Sequence, residues 1–359
     1  MNNNMSEISV TKNKAVSAFG ITCPFIREGD NIASIIVDSV LNSGHTLDDM
    51  DVIGITESVV ARAQGNYVTV DELAEDIQRF VIGKKKPKLV LCYPIYSRNR
   101  FSIILRGFAR ACSKIVIIMP EFDEVGNPVK NHPFTGLDYQ ELYKSICEEE
   151  GCECHIFDSA FDYYKDSLDK DTDAYISCLL HETENSKLSV SYKDVYSLKD
   201  FCKDKCDWGL LGSNKVNEEK LKLFPSKGGA QAVCDIVKEA IKEKTGKDVV
   251  VCIYGDGGYK DPASGIWEFA DPCACPSYTN KELMESSPNE IKLKALIDNT
   301  ETNDEVDRVL CENLGENQKN EKTMGTTPRL RKDLLASMCD LLTGSGSRGT
   351  PIVLVKNYF

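Results

Sequence analysis

Residues 20–65 read GITCPFIREGDNIASIIVDSVLNSGHTLDDMDVIGITESVVARAQG. A Pro-containing loop, Thr22 to Gly29, comes first. Ile32, Ile35, Ile36, Val40 and Leu41 then recur at helical spacing, which predicts a helix from Asn31 to Leu41. Asp30 is the expected N-cap, because its carboxylate can accept from unpaired first-turn amides. Asp51 to Ile55 is an apolar strand that ends in Thr56-Glu57-Ser58. A second short helix carries Arg62 and stops at Gly65. A strand that ends in small hydroxyl residues and opens a helix aims backbone amides at one point, which favours an anion. The alternative is an ordinary helix–turn–strand unit of an α/β domain.

Working outward, Val68 to Ile82 has helical spacing, with Leu73, Ile77, Phe80 and Val81 on one side. Lys84 to Lys88 reads as a solvated linker. The run KLVLCYPIYS from Lys88 predicts a buried strand, Asn99 to Lys114 a helix, and IVIIMP from Ile115 a second buried strand. Strand–helix–strand with continuous apolar strands is the pattern of a parallel, right-handed βαβ unit. Ser97, Arg98, Asn99 and Arg100 lie at the helix start, where such a unit holds a carboxylate or phosphate, or simply a solvated turn. No GxGxxG follows Val90, which counts against a dinucleotide there.

Tyr139 to Glu150 reads as a helix and Glu153 to Phe157 as a strand. The acidic run DYYKDSLDKDTDAYIS, from Asp162, reads as a solvated face, since its carboxylates lack calcium-loop spacing. Beyond 207, a turn ending in Ser213-Asn214 precedes a helix from Ala230 to Lys244, with Gly246 as its stop. A buried strand, Val249 to Tyr254, follows. Residues 255–276 read as a long glycine-, proline- and acid-rich loop. Helical stretches near 281–299 and 303–314 come next, then a helix from Leu334 to Leu342, a loop from Thr343 to Pro351, and a final strand.

The chain has 359 residues, enough for about two domains of roughly 150 residues. No apolar run reaches membrane-helix length. The first residues contain no apolar secretory region, so the cytoplasm is the expected location. A net charge of −13 argues against a broad nucleic-acid surface but not against a nucleotide. Fifteen cysteines without signal peptide or paired CxxC spacing argue against a disulfide framework. Cys92, Cys112, Cys234, Cys252 and Cys339 read as core residues.

The ordered motifs resemble the coenzyme F420-0:gamma-glutamyl ligase family. Pro24, Phe25, Ile26, Arg27, Glu28, Gly29 and Asp30 match its opening signature, followed by Asp51, Val52, Ser58, Arg62 and Gly65. Arg62 stands where the family usually has Lys, and Glu57 where it usually has Ser or Thr. Ser213, Asn214, Leu223, Pro225, Thr245, Gly246, Lys247 and Asp256 match the C-terminal pattern. A helix, a Gly-rich loop with Pro and a strand close the core in the family's order.

The resemblance implies GTP-driven joining of L-glutamate to an acceptor through an amide bond, in a homodimer. It implies a nucleotide site of Pro24, Phe25, Ile26, Arg27, Glu57, Ser58, Arg62, Asn214 and the loop Gly344-Ser345-Gly346-Ser347-Arg348-Gly349. It implies a divalent cation, Mg²⁺ or Mn²⁺, on Asp256. Glycines let backbone approach phosphate, and Arg348 adds a cationic fork. Lys260 could add another cation, and Asp261, Glu268 and Asp271 further carboxylates. Two positions depart from the family. Leu211 replaces a metal-binding Asp, and Gly257 replaces a Thr after Asp256.

The expected architecture is α/β (mixed α+β), with residues 1–82 and 207–359 forming a split ligase-like core around an inserted or remodelled region, 83–206. The expected activity is a nucleotide- and metal-dependent amide ligase acting on small molecules, without nucleic acid or membrane. The alternatives are a non-catalytic family member that binds a nucleotide or small acid, and an oxidoreductase or transferase built on residues 88–120.

Overall fold

Strands with continuous apolar runs need cover on both faces, and two of the three sheets here are built from such strands. The computed structural model describes residues 15–81, 86–92, 94–95, 98–122, 128–132, 135–159, 172–178, 195–260, 267–285, 298, 300–313, 330–343 and 349–359. The first elements are β1 (Ser17–Ile21), α1 (Ile32–Leu41), β2 (Val52–Thr56), α2 (Glu57–Ala63), β3 (Tyr67–Thr69) and α3 (Val70–Phe80). A middle group follows: β4 (Lys88–Cys92), α4 (Arg98–Ala111), β5 (Lys114–Ile118), α5 (Tyr139–Glu149), β6 (Glu153–Phe157), β7 (Ala174–Ser177) and β8 (Val195–Ser197). The rest comprises β9 (Ser213–Asn217), β10 (Lys220–Leu223), α6 (Lys227–Thr245), β11 (Val250–Lys260), β12 (Trp267–Tyr278), α7 (Asn303–Asn313), α8 (Arg331–Thr343) and β13 (Ile352–Lys356).

The first sheet has the order β1-β13-β2-β11-β12 and is mixed, with β2 and β11 parallel and the other pairs antiparallel. Alternation splits its central strands between two cores. Ile53, Ile55, Val251, Ile253, Ile352 and Leu354 pack under α1 and α6. Val52, Val250, Cys252, Val353 and Val355 pack under α8. Gly54 lets α8 come close, since a Cβ there would lie 2.6 Å from Cys339 Sγ.

The second five-stranded sheet is parallel throughout, in the order β6-β5-β4-β7-β8. Counted within the sheet this is the doubly wound order 3-2-1-4-5, whose strand order reverses between β4 and β7. A small sheet, β3-β10-β9, shares one apolar core with α3, α4, α5 and a face of the parallel sheet. Gly107 brings α4 onto α3, where its missing Cβ would meet Leu73 Cδ2 at 2.5 Å. The α/β, mixed α+β class read from the sequence is the class observed.

Local signals explain the helix starts. The α3 N-terminus is a capping box, with Thr69 Oγ1 accepting from Glu72 N and Glu72 Oε2 accepting from Thr69 N. Ser226 caps α6, and Gly246 ends it with φ of 74°. Asn31, not Asp30, caps α1, its Oδ1 accepting from Ser34 N at 3.2 Å. Asp30 instead accepts from Arg27 N at 2.6 Å and so closes the preceding loop.

Three other expectations change. Val68 and Thr69, read as the beginning of a helix, belong to β3 and pair with β10. Residues 255–260 and 267–276, read as loop, extend β11 and β12 as an antiparallel hairpin. Within the acidic run, Ala174–Ser177 is a fully buried strand paired with β4. Residues 162–171 of that run lie outside the described residues. Cys92, Cys112, Cys234, Cys252 and Cys339 are buried thiols, as their apolar settings suggested. No helix among the described residues is long and apolar enough to cross a membrane.

Candidate functional site

The carboxyl ends of β2 and β11 run out side by side, with Tyr254 in register with Thr56. Thr56 N donates to Pro351 O at 3.0 Å, so the end of the Gly-rich connection before β13 is fastened to the same edge. Thr343, at the other end of that connection, bonds the Tyr254 hydroxyl, and Thr350 Oγ1 donates to Leu342 O at 2.9 Å. Gly349 adopts φ of 56°, a left-handed conformation that glycine tolerates. Gly344, Ser345, Gly346, Ser347 and Arg348 lie outside the described residues.

Glu57 opens α2 and is only 3% exposed. Its Oε1 accepts from Asn214 Nδ2 at 3.2 Å and lies 3.7 Å from Lys222 Nζ. Lys222 Nζ also donates to Ser58 Oγ. A buried carboxylate needs such compensation, because desolvating an unpaired charge costs several kcal/mol. The acidic group at the first turn of α2 is therefore the protein's own, neutralised by Lys222. Gly255 makes room for it, since any Cβ there would collide with the Glu57 side chain.

Phe25 stands two-thirds exposed on the loop before α1, while Ile26 is turned into the core and anchors that loop. The Arg62 guanidinium lies 5.0 Å and that of Arg27 5.3 Å from the Phe25 ring centre. Neither guanidinium is paired with a carboxylate among the described residues. Two cations held over one exposed ring form a positive rim suited to an anionic group stacked or bound beside it. Pro24 is exposed on the same loop.

The sequence-predicted residues thus separate by role. Glu57, Ser58 and Asn214 join in one cluster around the buried Glu57 and Lys222, with Ser58 and Asn214 half-buried. Arg27, Phe25 and Arg62 form the exposed rim. Lys222 was not anticipated, because KLKL alternation reads as a strand with its lysines in solvent. Leu211 is 3% exposed and packs in the core with Phe224, while its carbonyl accepts from Arg100 at 3.2 Å. Arg100 also donates to Ser213 O at 2.9 Å, so it braces the small sheet and is not part of a ligand site.

A model of the F420-0:gamma-glutamyl ligase family matches residues 20–357. The chain belongs to this family. Its match to the coenzyme F420:L-glutamate ligase of Methanothermobacter thermautotrophicus is 32% identical over 79 residues, covering 21% of this chain and 31% of that protein. An uncharacterised protein of Methanocaldococcus jannaschii is 35% identical over 51 residues, covering 14% of this chain and 18% of that protein. The chain therefore aligns with less than a third of the length of each of these relatives.

The donor set bears on the family's metal. Asp256 lies in β11 two residues beyond Tyr254, the register partner of Thr56. Gly257 follows it, in register with Ala270 of β12. Leu211 offers neither a carboxylate nor a free carbonyl, and Glu57 is engaged by Lys222 and Asn214. Among the described residues no group of three or more His, Cys, Asp or Glu side chains is placed to hold a metal. Among the described residues this set does not supply the several hard oxygen ligands that a two-cation clamp needs. Glu268 and Asp271 lie in β12, and Asp261 lies outside the described residues.

Proposed function

We infer that this protein is an amide ligase of gamma-glutamyl type, joining L-glutamate to a carboxylate or phosphorylated acceptor at the expense of GTP. The observation that carries this reading is the rim of Arg27 and Arg62 around Phe25, beside the Glu57–Lys222–Asn214 cluster. The rim stands at the last turn of α2, the helix that Glu57 opens after β2, where Gly29 N donates to Ala63 O. In this reading Arg27, Arg62, Ser58 and the backbone of residues 344–349 bind the nucleotide phosphates. Pro24 and Phe25 flank the nucleotide, with Ile26 as the anchor. Lys222 and Asn214 hold Glu57 away from the phosphates, so that its charge does not repel them. Asp256 would hold one Mg²⁺ or Mn²⁺, which when bound neutralises phosphate charge. The family relation also leads us to expect a homodimer, which light scattering checks directly.

A second reading is favoured by Leu211 and Gly257. A member with fewer metal ligands could bind nucleotide or a small acid without ligation and serve as a sensor. Calorimetric titration with GTP, with and without Mn²⁺, followed by assay of glutamate-dependent phosphate release, separates the two. The ligase reading expects metal-enhanced binding that Asp256→Ala removes, with phosphate release on adding glutamate. Arg62→Ala should weaken GTP about tenfold, the scale of a charge-assisted contact. GTP binding that is indifferent to Mn²⁺ and without turnover supports the sensor. Unchanged affinity in the Arg62 variant removes this rim from the site.

A further inference from the structure

Gly151, at φ of 70°, turns the chain out of α5 and into β6, the edge strand of the parallel sheet. Cys152 N donates to Cys147 O at 2.9 Å across this turn. Pleating puts Cys154 and Ile156 on the core side of β6, and Glu153 and His155 on the other, where Glu153 pairs with His155 and Lys114. Cys147 lies on the buried side of α5. Helix and strand therefore bring Cys147, Cys152 and Cys154 together as three free thiols. The Cys147 thiol is hydrogen-bonded to both of the other sulfurs.

The three are not equivalent. Cys147 is fully buried, and Cys152 is 5% exposed with its Sγ donating to Glu153 O at 3.6 Å. Cys154 is half-buried. It borders an open hollow of about 410 Å³ lined also by Lys144, Glu148, Gly151, Cys152 and Glu153. A small solute can reach Cys154 from this hollow, while Cys147 stands behind it. The hydrogen bond from Cys147 holds the Cys154 thiol below its usual range, against the burial that raises it, and the Lys144 ammonium adds to the lowering. The hydrogen bonds to Cys152 and Cys154, together with burial, hold Cys147 far above its own range, so it keeps its proton. An accessible sulfur with thiolate character, backed by a second thiol, is the arrangement in which a sulfenic acid forms and is then resolved.

We propose that Cys154 and Cys147 are a peroxide-sensitive pair that closes into a reversible disulfide between β6 and α5. In the first step the Cys154 sulfur attacks one oxygen of hydrogen peroxide and the O–O bond breaks. Cys154 becomes a sulfenic acid, and the departing hydroxide takes a proton from solvent to give water. In the second step the Cys147 sulfur attacks the Cys154 sulfur and the S–O bond breaks. The hydroxyl leaves with the Cys147 proton as a second water. Two thiols are oxidised to one disulfide, and one peroxide is reduced to two waters. A small dithiol reverses the change by thiol–disulfide exchange. The pair shares no residue with the proposed nucleotide site and does not rest on that reading.

Peptide mapping of the full chain after treatment with hydrogen peroxide, with free thiols blocked by alkylation, tests the proposal. Cleavage after glutamate separates the three cysteines, because Glu148, Glu149, Glu150 and Glu153 lie between them. A Cys147–Cys154 linkage that dithiothreitol removes is expected in the wild type. Cys152→Ser should leave it in place, and Cys154→Ser should abolish it. In Cys147→Ser, dimedone should trap a sulfenic acid on Cys154. Without peroxide, iodoacetamide should label Cys154 about tenfold faster than Cys23, the other half-buried free thiol, which burial holds above its usual range. The wild-type linkage needs no variant, so a variant that fails to fold does not decide the outcome. Absence of the Cys147–Cys154 linkage in oxidised wild type overturns the proposal. So does linkage of Cys147 to Cys152 in its place, or labelling of Cys154 no faster than Cys23.

Discussion

At the end of β2, the buried Glu57 carboxylate accepts from Asn214, faces Lys222, and leaves its neighbour Ser58 bonded to the same lysine. At the end of β4, the Arg98 guanidinium lies over the Tyr139 ring, and among the described residues neither it nor the Tyr143 hydroxyl has a hydrogen-bond partner. Both regions lie at the carboxyl ends of buried parallel strands. They differ in where their polar groups are satisfied. The first cluster is bridged internally by Lys222, so it contributes to folding. In the second, no such internal bridge forms among the described residues.

Replacing a group in the bridged cluster should therefore cost stability, and replacing one in the unbridged region should not. The largest effect is expected for Lys222→Met. It strands a buried carboxylate and should cost about 3–5 kcal/mol in urea unfolding. Adding Glu57→Gln should return much of that loss. A single-variant loss below about 1 kcal/mol would mean that Glu57 is not held by this lysine. Next comes Gly54→Ala, where the new Cβ meets Cys339 Sγ and the overpacked α8 should cost about 1–3 kcal/mol. Coupling to Cys339→Ala in a double-mutant cycle checks the cause. The smallest effect belongs to Tyr143→Phe. Removing a hydroxyl that has no partner among the described residues should change stability by less than about 0.5 kcal/mol, or raise it. A clear loss in this variant would show that the hydroxyl is satisfied within the fold, and the contrast between the two regions would fail.

Much of the mixed sheet could be read directly. Ile32 to Leu41 and the Ser226-to-Gly246 helix carry helical spacing and end signals. The apolar runs at Val52 and Ile352 can only be buried strands. The capping box at Thr69 and Glu72 is also visible in the sequence, yet β3 just before it was read as helix. Val68 and Val70 fit either period, and only pairing with β10 decides. The β11–β12 hairpin was missed because Gly255, Gly257, Gly258 and Pro272 resemble turn chemistry. The four residues of β7 were hidden behind an acidic run.

The site was legible to a different depth. Arg27, Arg62, Ser58 and Asn214 could be singled out from an ordered pattern, and so could Arg98 within the turn after β4. Their roles could not. Arg98 and Arg100 are two residues apart, but one lines a crevice and the other donates to Leu211 and Ser213 carbonyls. Tyr143 sits in an amphipathic helix, where its apolar spacing marks it as core, and the structure packs it against the rings of Phe101 and Tyr139.

By itself the sequence determined the class of the fold, most of its helices and central strands, and the family to which the chain belongs. These depend on periodicity, caps and ordered short motifs, which are local. Tertiary structure decided that Lys222 meets Ser58 across 164 positions, that Leu211 fills a core, and which polar groups have no partner among the described residues. Charge compensation is a matter of distance in space, and no spacing along the chain encodes it.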